Sequence, residues 1–598
     1  MLKRSDIDKR YKWDLGAIYA DEDAFYADFK KAEDLISAFP ENEKKMTRDA
    51  KSFYQTLVEY TKMDAIIEKL WQYAFLGYSL NTADNKFQSL QSKVRTLNSS
   101  AAEATWFVSP YILKLDAEVL EKWFFECAEL SVYKRMVEKI LRSKPYTLSD
   151  ENEQLISKMQ DCFGTHSQIR SVFSNSDIRF GKIRDEEGSL LEITDANYVT
   201  TLMSQDRRVR RSAFKTIYKT YDAFKNTYAA LFNSKIKETT TLAAVRGFES
   251  SLSSSTFSDE LTPEIYNNLI DSATRGLTTL YKYYALKKKI LGVKKLHMYD
   301  LYPPLIESVD RKYTYDEAIK EVLSAVEVFG DEYYNALKDG LLNKSWADVY
   351  PTRGKRSGAF SSGAPSTEPY ILLNYNETFD DVSTLAHEAG HSMHTWFSTK
   401  YNEPHNSSYT LFVAEVASTV NELLLAHKKL ELSKSREEKL YILNNIMETY
   451  KATLFRQAMF AEFERDMHAL SEAGEPLTAD LISEKYYALV CRYFGKDVVC
   501  DKEIAYEWMR VPHFYTSFYV YKYATSISAA SAIVKRIETE GEAYVKKYID
   551  FLKCGDSKSP IDSLLVAEID MNDPSVVNGA IEDFSNCIKT FEKLYYEK

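Results

Sequence analysis

The segment Phe53–Leu80 reads F-Y-Q-T-L-V-E-Y-T-K-M-D-A-I-I-E-K-L-W-Q-Y-A-F-L-G-Y-S-L, with apolar residues every three or four positions and charges between them. That spacing places the apolar side chains on one face of an α-helix and is typical of a helix packed against a core. Tyr441–Met467 has the same pattern, and only 19 glycines and 14 prolines interrupt the 598 residues. The sequence therefore predicts a mostly α fold.

One region in the first half of the chain departs from the helical pattern. Asp177–Thr194 contains R-F-G-K-I and S-L-L-E-I on either side of D-E-E-G, which is typical of a β-hairpin. The hairpin separates a helical first third from the rest of the chain. We therefore expect a domain boundary near residue 195, between an N-terminal helical lobe (1–195) and a second domain (196–598).

A second strand-like region lies further along. Ser357–Ser362 reads S-G-A-F-S-S and Pro369–Tyr375 reads P-Y-I-L-L-N-Y, with a turn rich in Gly, Ser, Pro and Thr between them. The pair predicts a short β-sheet. This sheet directly precedes the strongest motif of the chain.

The overall composition excludes several classes of function. A formal net charge of −11 argues against a nucleic-acid-binding protein, which needs clustered Lys and Arg. Residues 1–30 are charged from the third residue onward and contain no apolar signal segment. No stretch approaches the run of about 18 apolar residues that a membrane span needs. The six cysteines are scattered and indicate reduced thiols, so we expect a cytoplasmic protein without nucleic-acid or membrane partners.

The strongest motif lies in Asp380–Lys400, which reads D-D-V-S-T-L-A-H-E-A-G-H-S-M-H-T-W-F-S-T-K and contains H-E-x-x-H at His387, Glu388 and His391. Residues four apart share one face of a helix, so both imidazoles can bind one metal ion. Glu388 points in another direction but can reach a water at the metal as a general base. Candidate N-terminal caps for this helix are Asp380, Asp381 and Ser383.

A catalytic zinc site also needs a third protein ligand and an open position. A metzincin would place a histidine at position 397, where Phe397 stands, so that subclass is excluded. His394 lies one turn past His391, and three ligands from one straight helix would strain a tetrahedral site, so a supporting or packing role is favoured. The remaining candidate is Glu415 in the apolar segment F-V-A-E-V-A-S-T, with a capping or ion-paired glutamate as its alternative. Glu422, two turns on, either orients a ligand histidine or is an ordinary surface residue.

An aromatic segment downstream is a second candidate site. Trp508–Ala524 reads W-M-R-V-P-H-F-Y-T-S-F-Y-V-Y-K-Y-A. As a helix it would present two aromatic faces, one with Tyr515, Tyr519 and Tyr523, the other with Phe514, Phe518 and Tyr521. Such a stripe is more often core than site. Hydrolysis of a peptide bond nevertheless develops an oxyanion that neutral donors stabilise, and His513 with Tyr519 or Tyr521 would suit that role.

Taken together, these motifs resemble oligoendopeptidase F, in the thimet oligopeptidase family. The resemblance rests on H-E-A-G-H-S-M-H at 387–394, F-V-A-E-V-A-S-T at 412–419 and H-F-Y-x-x-F-Y-V-Y-K-Y-A at 513–524. Further matches are W-D-L at 13–15, H-M-Y-D-L-Y at 297–302 and G-K-R-S-G-A-F at 354–360. The resemblance covers essentially the whole chain, with the separated motifs in the same order.

The resemblance implies a two-lobed helical body with a deep central cleft and a small β-sheet near the active site. It implies a zinc-dependent endopeptidase that cleaves internal bonds of oligopeptides, while a narrow channel excludes folded proteins. His387, His391 and Glu415 would bind one Zn²⁺ ion, with Glu388 as the base, and residues 196–598 would form the catalytic metallopeptidase domain.

The resemblance also implies residues that contact substrate. His513 and one or both of Tyr519 and Tyr521 would hold the substrate carbonyl and the transition state. The substrate-binding residues implied are Gly358, Ala359, Phe360 and Tyr515. The first three would pair with the substrate backbone as an added β-strand, and the alternative for them is a purely structural hairpin.

Two other functions are compatible with a helical zinc protein. One is a binding protein that keeps zinc for structure, but Glu388 argues against it because a structural site needs no base. The other is a carboxypeptidase or aminopeptidase, but the G-x-M-E-N signature for a free amine is absent from the sequence. The sequence therefore favours an endopeptidase with oligopeptide substrates.

Overall fold

A computed structural model describes residues 3–306 and 311–597 of the chain. Helices account for 72% of the residues and strands for 3%, which confirms the mostly α fold. Within the two described ranges, no helix is long and apolar enough to cross a membrane.

The regular elements are numbered in chain order. The α-helices of the described chain are Glu22–Ala38 (α1), Ala50–Leu80 (α2), Asn85–Ala104 (α3), Val108–Lys114 (α4), Ala117–Glu126 (α5), Lys134–Arg142 (α6), Asp150–Met159 (α7), Thr165–Val172 (α8), Asp195–Leu202 (α9), Arg207–Ala223 (α10), Lys225–Val245 (α11), Ser251–Ser258 (α12), Pro263–Arg275 (α13), Leu277–Ile290 (α14), Tyr315–Val326 (α15), Asp331–Leu342 (α16), Phe379–Tyr401 (α17), Leu411–Leu432 (α18), Arg436–Thr449 (α19), Arg456–Glu472 (α20), Ala479–Phe494 (α21), Tyr521–Glu540 (α22), Glu542–Leu552 (α23), Pro560–Val566 (α24) and Pro574–Tyr596 (α25). The strands are Lys182–Arg184 (β1), Leu190–Glu192 (β2), Leu296–His297 (β3), Ala347–Asp348 (β4), Phe360–Ser362 (β5), Tyr370–Leu372 (β6) and Val498–Val499 (β7).

The two segments with the clearest helical pattern fold as helices. Phe53–Leu80 lies within α2, which begins after Asp49, whose side chain accepts a hydrogen bond from the backbone N–H of Ser52. Tyr441–Met467 is not one uninterrupted α-helix, because a π-helical turn at Tyr450–Phe455 joins α19 to α20. The spacing of apolar residues therefore predicts a helix correctly, but it does not reveal the extra residue of the π-helical turn.

The chain forms two compact units, each made of three separate stretches. Unit 1 contains Met1–Pro145, Arg311–Lys428 and Ile533–Ile569, and unit 2 contains Tyr146–Asp310, Lys429–Ala532 and Asp570–Lys598. Residue 195 lies inside unit 2, so the predicted division into 1–195 and 196–598 does not coincide with these units and stays a prediction. The deep central cleft also stays a prediction.

The predicted hairpin is present in unit 2. Strands β1 and β2 pair antiparallel, with Lys182 opposite Glu192. At the turn, the carboxylate of Asp185 accepts hydrogen bonds from the N–H groups of Glu187 and Ser189 (3.1 and 2.8 Å). Gly188 supplies the positive φ of +85° that the turn needs, so the D-E-E-G sequence accounts for the hairpin.

The predicted sheet before the strongest motif is also present, in unit 1. Its strand order is β4-β6-β5, with β6 parallel to β4 and antiparallel to β5. Phe360 of β5 lies opposite Leu372 of β6, and its ring packs near those of Phe75 and Trp13 (centroids 5.1 and 6.2 Å apart). The sheet thus rests on the core of unit 1 with β5 at its edge.

Candidate metal centre and active site

The helix that carries the H-E-x-x-H motif, α17, begins at a capping box. Thr378 is its N-cap: the Thr378 side chain accepts from the N–H of Asp381 (3.2 Å), and the Asp381 carboxylate accepts from the N–H of Thr378 (2.9 Å). The sequence-based choice of Asp380, Asp381 or Ser383 as the cap is therefore wrong by two residues or more, because Asp381 is the reciprocal partner of the cap. The box fixes the start of a helix of 23 residues that brings His387 and His391 onto one face.

A second helix, α18, lies against α17 at Gly390. A Cβ atom at Gly390 would lie 2.6 Å from both the carbonyl oxygen of Ala417 and the Cα of Ser418. Only glycine permits this approach of the two backbones. The side chain of Asn421 bridges the same pair of helices by donating to the carbonyl oxygen of Ala386 (3.2 Å).

The close approach brings three ligand atoms together. The Nε2 atoms of His387 and His391 are 3.2 Å apart, and Oε2 of Glu415 is 3.4 and 3.5 Å from them. A tetrahedral zinc ion with bonds of about 2.0–2.1 Å would separate its ligand atoms by about 3.3 Å. The three side chains, which we call the metal centre, therefore have donor types and a spacing that can hold a metal ion.

Glu422 supports the metal centre. Its Oε1 is 2.9 Å from Nδ1 of His387, so this carboxylate can hold the proton on Nδ1 and leave the lone pair on Nε2. Of the two sequence-based readings of Glu422, the geometry agrees with the one in which it orients a ligand histidine.

The charges around the metal centre favour a bound cation. Burial acts to lower the pKa of His387, but the carboxylates of Glu422 and Glu415 outweigh it and hold that pKa well above its usual value. Burial acts to raise the pKa of Glu415, but His387 and His391 outweigh it and lower that pKa. The carboxylates around the two imidazoles create a negative potential, which favours the binding of a divalent metal ion.

Glu388 lies beside the metal centre and is 6% exposed. Burial raises the pKa of its carboxyl, while His387 and His391 act in the opposite direction. Its Oε2 has no hydrogen-bond partner among the described residues. A buried carboxyl oxygen without a partner next to a candidate metal site is suited to accept a proton.

His394 has a packing role. Its ring is 1% exposed and stacks on Tyr409, with centroids 3.8 Å apart and an angle of 8°. Burial, followed by the nearby His391, lowers the pKa of His394 to about 3, so the ring is neutral. Tyr409, to which the sequence assigns no role, donates from its hydroxyl to the carbonyl oxygen of His391 (3.4 Å) and so supports the ligand helix.

The predicted substrate strand lies at the edge of the sheet. Among the described strands, β5 pairs only with β6. The hydroxyl groups of Ser361 on β5 and Ser392 on α17 are 2.8 Å apart, which fixes the strand beside the metal-binding helix. Before the strand, Gly358 has a φ of +81°, and its carbonyl oxygen accepts from the Asn374 side chain (2.8 Å). Ala359 and Phe360 are half-buried, and the role of residues 358–360 in substrate binding stays a prediction.

A cavity of about 1300 Å³ in unit 1 extends along this strand. Its walls include residues 361–365, Thr395 of α17 and Tyr409, together with the aromatic rings of Trp71 and Trp106. The cavity thus combines aromatic and polar walls beside β5 and α17.

The aromatic segment in unit 2 is not one helix, which corrects the expectation of two helical faces. Residues 512–515 form a 3-10 turn, α22 begins at Tyr521, and Phe518 between them has a positive φ of +55°. Pro512 and the conformation of Phe518 are incompatible with a continuous helix. We call residues 512–523 the tyrosine loop.

Three polar aromatic side chains of the tyrosine loop form a group. The rings of His513 and Tyr519 are parallel, with centroids 5.9 Å apart, and the hydroxyl of Tyr523 donates to that of Tyr519 (3.3 Å). Partial burial, and then the charge of Arg170, lowers the pKa of His513, so its ring is neutral at neutral pH. His513 is exposed and the two tyrosines are partly exposed.

Two other predicted residues of the loop point into unit 2. Tyr521 is fully buried, and its hydroxyl lies 3.1 Å from Asp259. The guanidinium of Arg170 lies over the ring of Tyr515, 5.2 Å from its centroid. This placement groups Tyr519, not Tyr521, with His513, and the predicted roles of Tyr521 and Tyr515 stay predictions.

Known proteins resemble this chain over most of its length. The sequence profile of "Peptidase family M3" matches residues 200–582, and that of "Oligopeptidase F" matches residues 112–180. The chain is 38% identical to "Oligopeptidase PepF" of Bacillus subtilis over 591 residues, which cover 99% of this chain and 88% of that protein. Its fold matches a putative peptidase from Chlamydophila abortus (TM-score 0.91, 32% identity, 99% of each chain) and oligoendopeptidase F from Enterococcus faecium (TM-score 0.76, 30% identity, 96% of this chain and 99% of that chain).

Proposed function

The chain belongs to peptidase family M3 and is a metallo-oligopeptidase, and we propose that it is a zinc-dependent endopeptidase that cleaves internal bonds of short peptides. The observation that carries this proposal is the metal centre, whose ligand atoms lie 3.2–3.5 Å apart next to the buried Glu388. This arrangement combines a tetrahedral ligand set with an adjacent base.

His387, His391 and Glu415 would hold one zinc ion. Two imidazoles, each bound through a nitrogen that has lost its proton, and one carboxylate are the ligand types of catalytic zinc sites. A zinc ion bound there supplies Lewis acidity, which acidifies a water molecule and polarises the scissile carbonyl.

Glu388 moves the proton in the proposed reaction. Its carboxylate accepts a proton from the attacking water, and the water oxygen forms a bond to the carbonyl carbon. The same carboxyl then gives that proton to the amide nitrogen as the C–N bond breaks. The products are a carboxylic acid and an amine, and transfer of the acid proton to the amine gives a carboxylate and an ammonium group. The unpartnered, buried Oε2 of Glu388 supports this role.

His513 and Tyr519 are proposed as hydrogen-bond donors to the oxyanion that develops on the substrate carbonyl. The lowered pKa of His513 supports a neutral donor, and the hydroxyl of Tyr519 is partly exposed. The structure groups these two side chains in one loop, which supports a shared role.

The substrates are proposed to be oligopeptides that bind in an extended conformation along β5, through the backbone of Gly358, Ala359 and Phe360. An edge strand with a free side is the site at which a peptide can add as a further strand. The six cysteines are free thiols, which supports a cytoplasmic location.

The proposal is tested with a peptide of about ten residues that is blocked at both ends. Mass spectrometry would compare the wild type with Glu388→Gln, and Glu431→Gln serves as a control because Glu431 is an exposed glutamate on α18. We expect internal cuts by the wild type and the control, and a rate lowered by about 10²- to 10⁴-fold in Glu388→Gln, with zinc content unchanged. Full activity in Glu388→Gln would reject Glu388 as the base, and cuts that require a free end would reject an endopeptidase.

A further inference from the structure

A carboxyl group in unit 2 is completely buried next to the tyrosine loop. Glu464 on α20 is 0% exposed, and its Oε1 accepts a hydrogen bond of 2.7 Å from the backbone N–H of Phe518. Its Oε2 has no hydrogen-bond partner among the residues that the structure describes. Burying a carboxyl group with a hydrogen bond to only one of its two oxygens costs stability. The burial of Glu464 therefore suggests that its bond to Phe518 has a role in the loop.

The bond is made at a strained point of the loop. Phe518 has a φ of +55°, a conformation that costs a residue with a Cβ about 1–2 kcal/mol. Its ring is 1% exposed and lies near the rings of Tyr266 and His468, with centroids 5.7 and 4.4 Å away. The backbone bond to Glu464 and the packing of the ring together hold Phe518 in this conformation.

The conformation of Phe518 determines where Tyr519 points. Tyr519 is the next residue, and the first turn of α22 follows at once, since the N–H of Lys522 donates to the carbonyl oxygen of Tyr519 (3.2 Å). On the other side of Phe518, the hydroxyl of Ser517 lies 2.9 Å from that of Thr239. Without the left-handed residue, the chain could not turn from the 3-10 segment into α22 with Tyr519 parallel to His513.

The surroundings keep the Glu464 carboxyl neutral. Burial raises its pKa to about 8, opposed by the Phe518 N–H and the charge of Lys235 on α11. His468, whose pKa burial lowers to about 4, is also neutral, and its Nδ1 donates to the carbonyl oxygen of Glu464 (2.8 Å). A glutamine at position 464 therefore has nearly the same shape, charge and acceptor as the native side chain at neutral pH.

We propose that Glu464 is a positioning residue for peptide hydrolysis, whose buried carboxyl accepts the Phe518 N–H and thereby holds Tyr519 in the orientation that meets the substrate carbonyl. This inference rests on the role proposed above for Tyr519. Glu464 itself touches neither the substrate nor the metal ligands.

The test compares two replacements of Glu464 with matched replacements of Glu462. Glu464→Met removes the acceptor and keeps the length of the side chain, whereas Glu464→Gln keeps the acceptor. Glu462 lies on the same helix and is 6% exposed, but it accepts from Arg492 and Tyr493, outside the loop. Glu462→Met and Glu462→Gln therefore control for the loss of a buried carboxylate.

Two quantities are measured for each variant: hydrogen exchange of peptides that cover residues 512–523, and kcat and KM for the blocked peptide. In Glu464→Met we expect faster exchange in the loop and a kcat lowered by about 10- to 100-fold, the effect of a misplaced catalytic group. KM should stay within about threefold, because the proposed contact of Tyr519 with the substrate acts in the transition state. Glu464→Gln should restore both values to those of the wild type. The Glu462 variants should leave loop exchange and kcat unchanged.

Three results would overturn the inference: unchanged loop exchange in Glu464→Met, an equal defect in Glu464→Gln, or faster exchange with unchanged kcat. Tyr519→Phe separates this failure from a failure of the proposed function. If Tyr519→Phe loses kcat while Glu464→Met does not, Tyr519 keeps its role and Glu464 has none. If Glu464→Met does not fold, Glu464→Ala replaces it, because water can fill the space and the Phe518 N–H should still exchange faster.

Discussion

The metal centre of unit 1 and the tyrosine loop of unit 2 hold their functional groups in different ways. In the metal centre, two long helices fix the ligands through a capping box, a glycine contact and the Asn421 bridge. In the tyrosine loop the backbone is irregular, and Phe518, the residue with positive φ before Tyr519, is held by one hydrogen bond to Glu464 and by the packing of its ring. The metal centre therefore depends on regular helix geometry with several supports, and the tyrosine loop depends on a strained residue that a buried carboxyl and ring packing stabilise.

The comparison predicts that substitutions in the two regions have different effects. Those in the metal centre should lower the zinc content, and those in the tyrosine loop should lower kcat without loss of zinc. The largest effect should come from Glu415→Gln, which replaces an anionic ligand by a neutral amide and weakens zinc binding. Loss of the Lewis acid removes several kcal/mol of transition-state stabilisation, about 10³-fold or more in rate. Zinc content measured after dialysis and the rate at saturating zinc check this, with Glu431→Gln as the control. A variant that keeps both zinc and activity would exclude Glu415 from the metal centre.

The converse variant is Tyr519→Phe. It deletes one donor to the oxyanion and leaves the helices of unit 1 untouched, so we expect kcat to fall by about 10²- to 10³-fold with zinc content unchanged. Tyr521→Phe is the matched comparison, since the structure places that hydroxyl beside Asp259. A larger loss of kcat in Tyr521→Phe than in Tyr519→Phe would reverse this assignment and return the catalytic role to Tyr521.

A smaller effect on the metal side is expected from Glu422→Gln. The amide can still accept the Nδ1 proton of His387 but no longer carries charge, and loss of such a supporting carboxylate weakens metal affinity by about 10- to 100-fold. Competition with a zinc chelator measures this affinity directly. An unchanged affinity would show that the helices alone orient His387.

The smallest effect concerns the stability of the tyrosine loop against pH. Glu464 has a pKa of about 8 in the folded chain and about 4.3 when unfolded, so the folded state holds a proton that the unfolded state loses. The stability that this proton provides is fully present below about pH 4.3 and is lost as the pH rises through 8. His468, Lys235 and Tyr266 are the other titratable groups around it.

Glu464→Gln removes this titration. We expect its Tm to equal that of the wild type at pH 5 and to exceed it by about 1–3 °C at pH 8. Differential scanning calorimetry at the two pH values measures the difference, and Glu462→Gln serves as the reference. A difference that shrinks as the pH rises would contradict a raised pKa.

The difference between regular helices and an irregular loop also explains which parts of the structure the sequence predicts well. The four-residue spacing of His387 and His391 is a property of any α-helix, so the motif alone predicts their shared face. The position of Glu415 follows from a short connection and a second amphipathic helix. The hairpin and the β5–β6 pair also follow from local patterns, because strand-like residues on either side of a turn specify them. The parallel strand β4 of the same sheet was not predicted.

The arrangement of the tyrosine loop was not predictable in the same way. A positive φ at a phenylalanine has no signature in the sequence, since the residues that favour it are glycine and asparagine. Glu464 looks like any acidic residue of an amphipathic helix, and only the tertiary structure reveals that it is buried. The N-cap at Thr378 was missed for a simpler reason: three acidic or hydroxyl residues compete for that role within the next five positions.

The position of β5 at the edge of its sheet has a consequence for the range of peptides that the enzyme would accept. A strand that binds a peptide through backbone groups recognises the extended conformation that all peptides can adopt, and it discriminates little between side chains. It is sensitive, however, to proline, which lacks the N–H that alternate positions of an added strand must donate. In the proposed binding mode, moving a single proline along a substrate would alternately block and permit cleavage, and the period of two would report the register of the bound peptide.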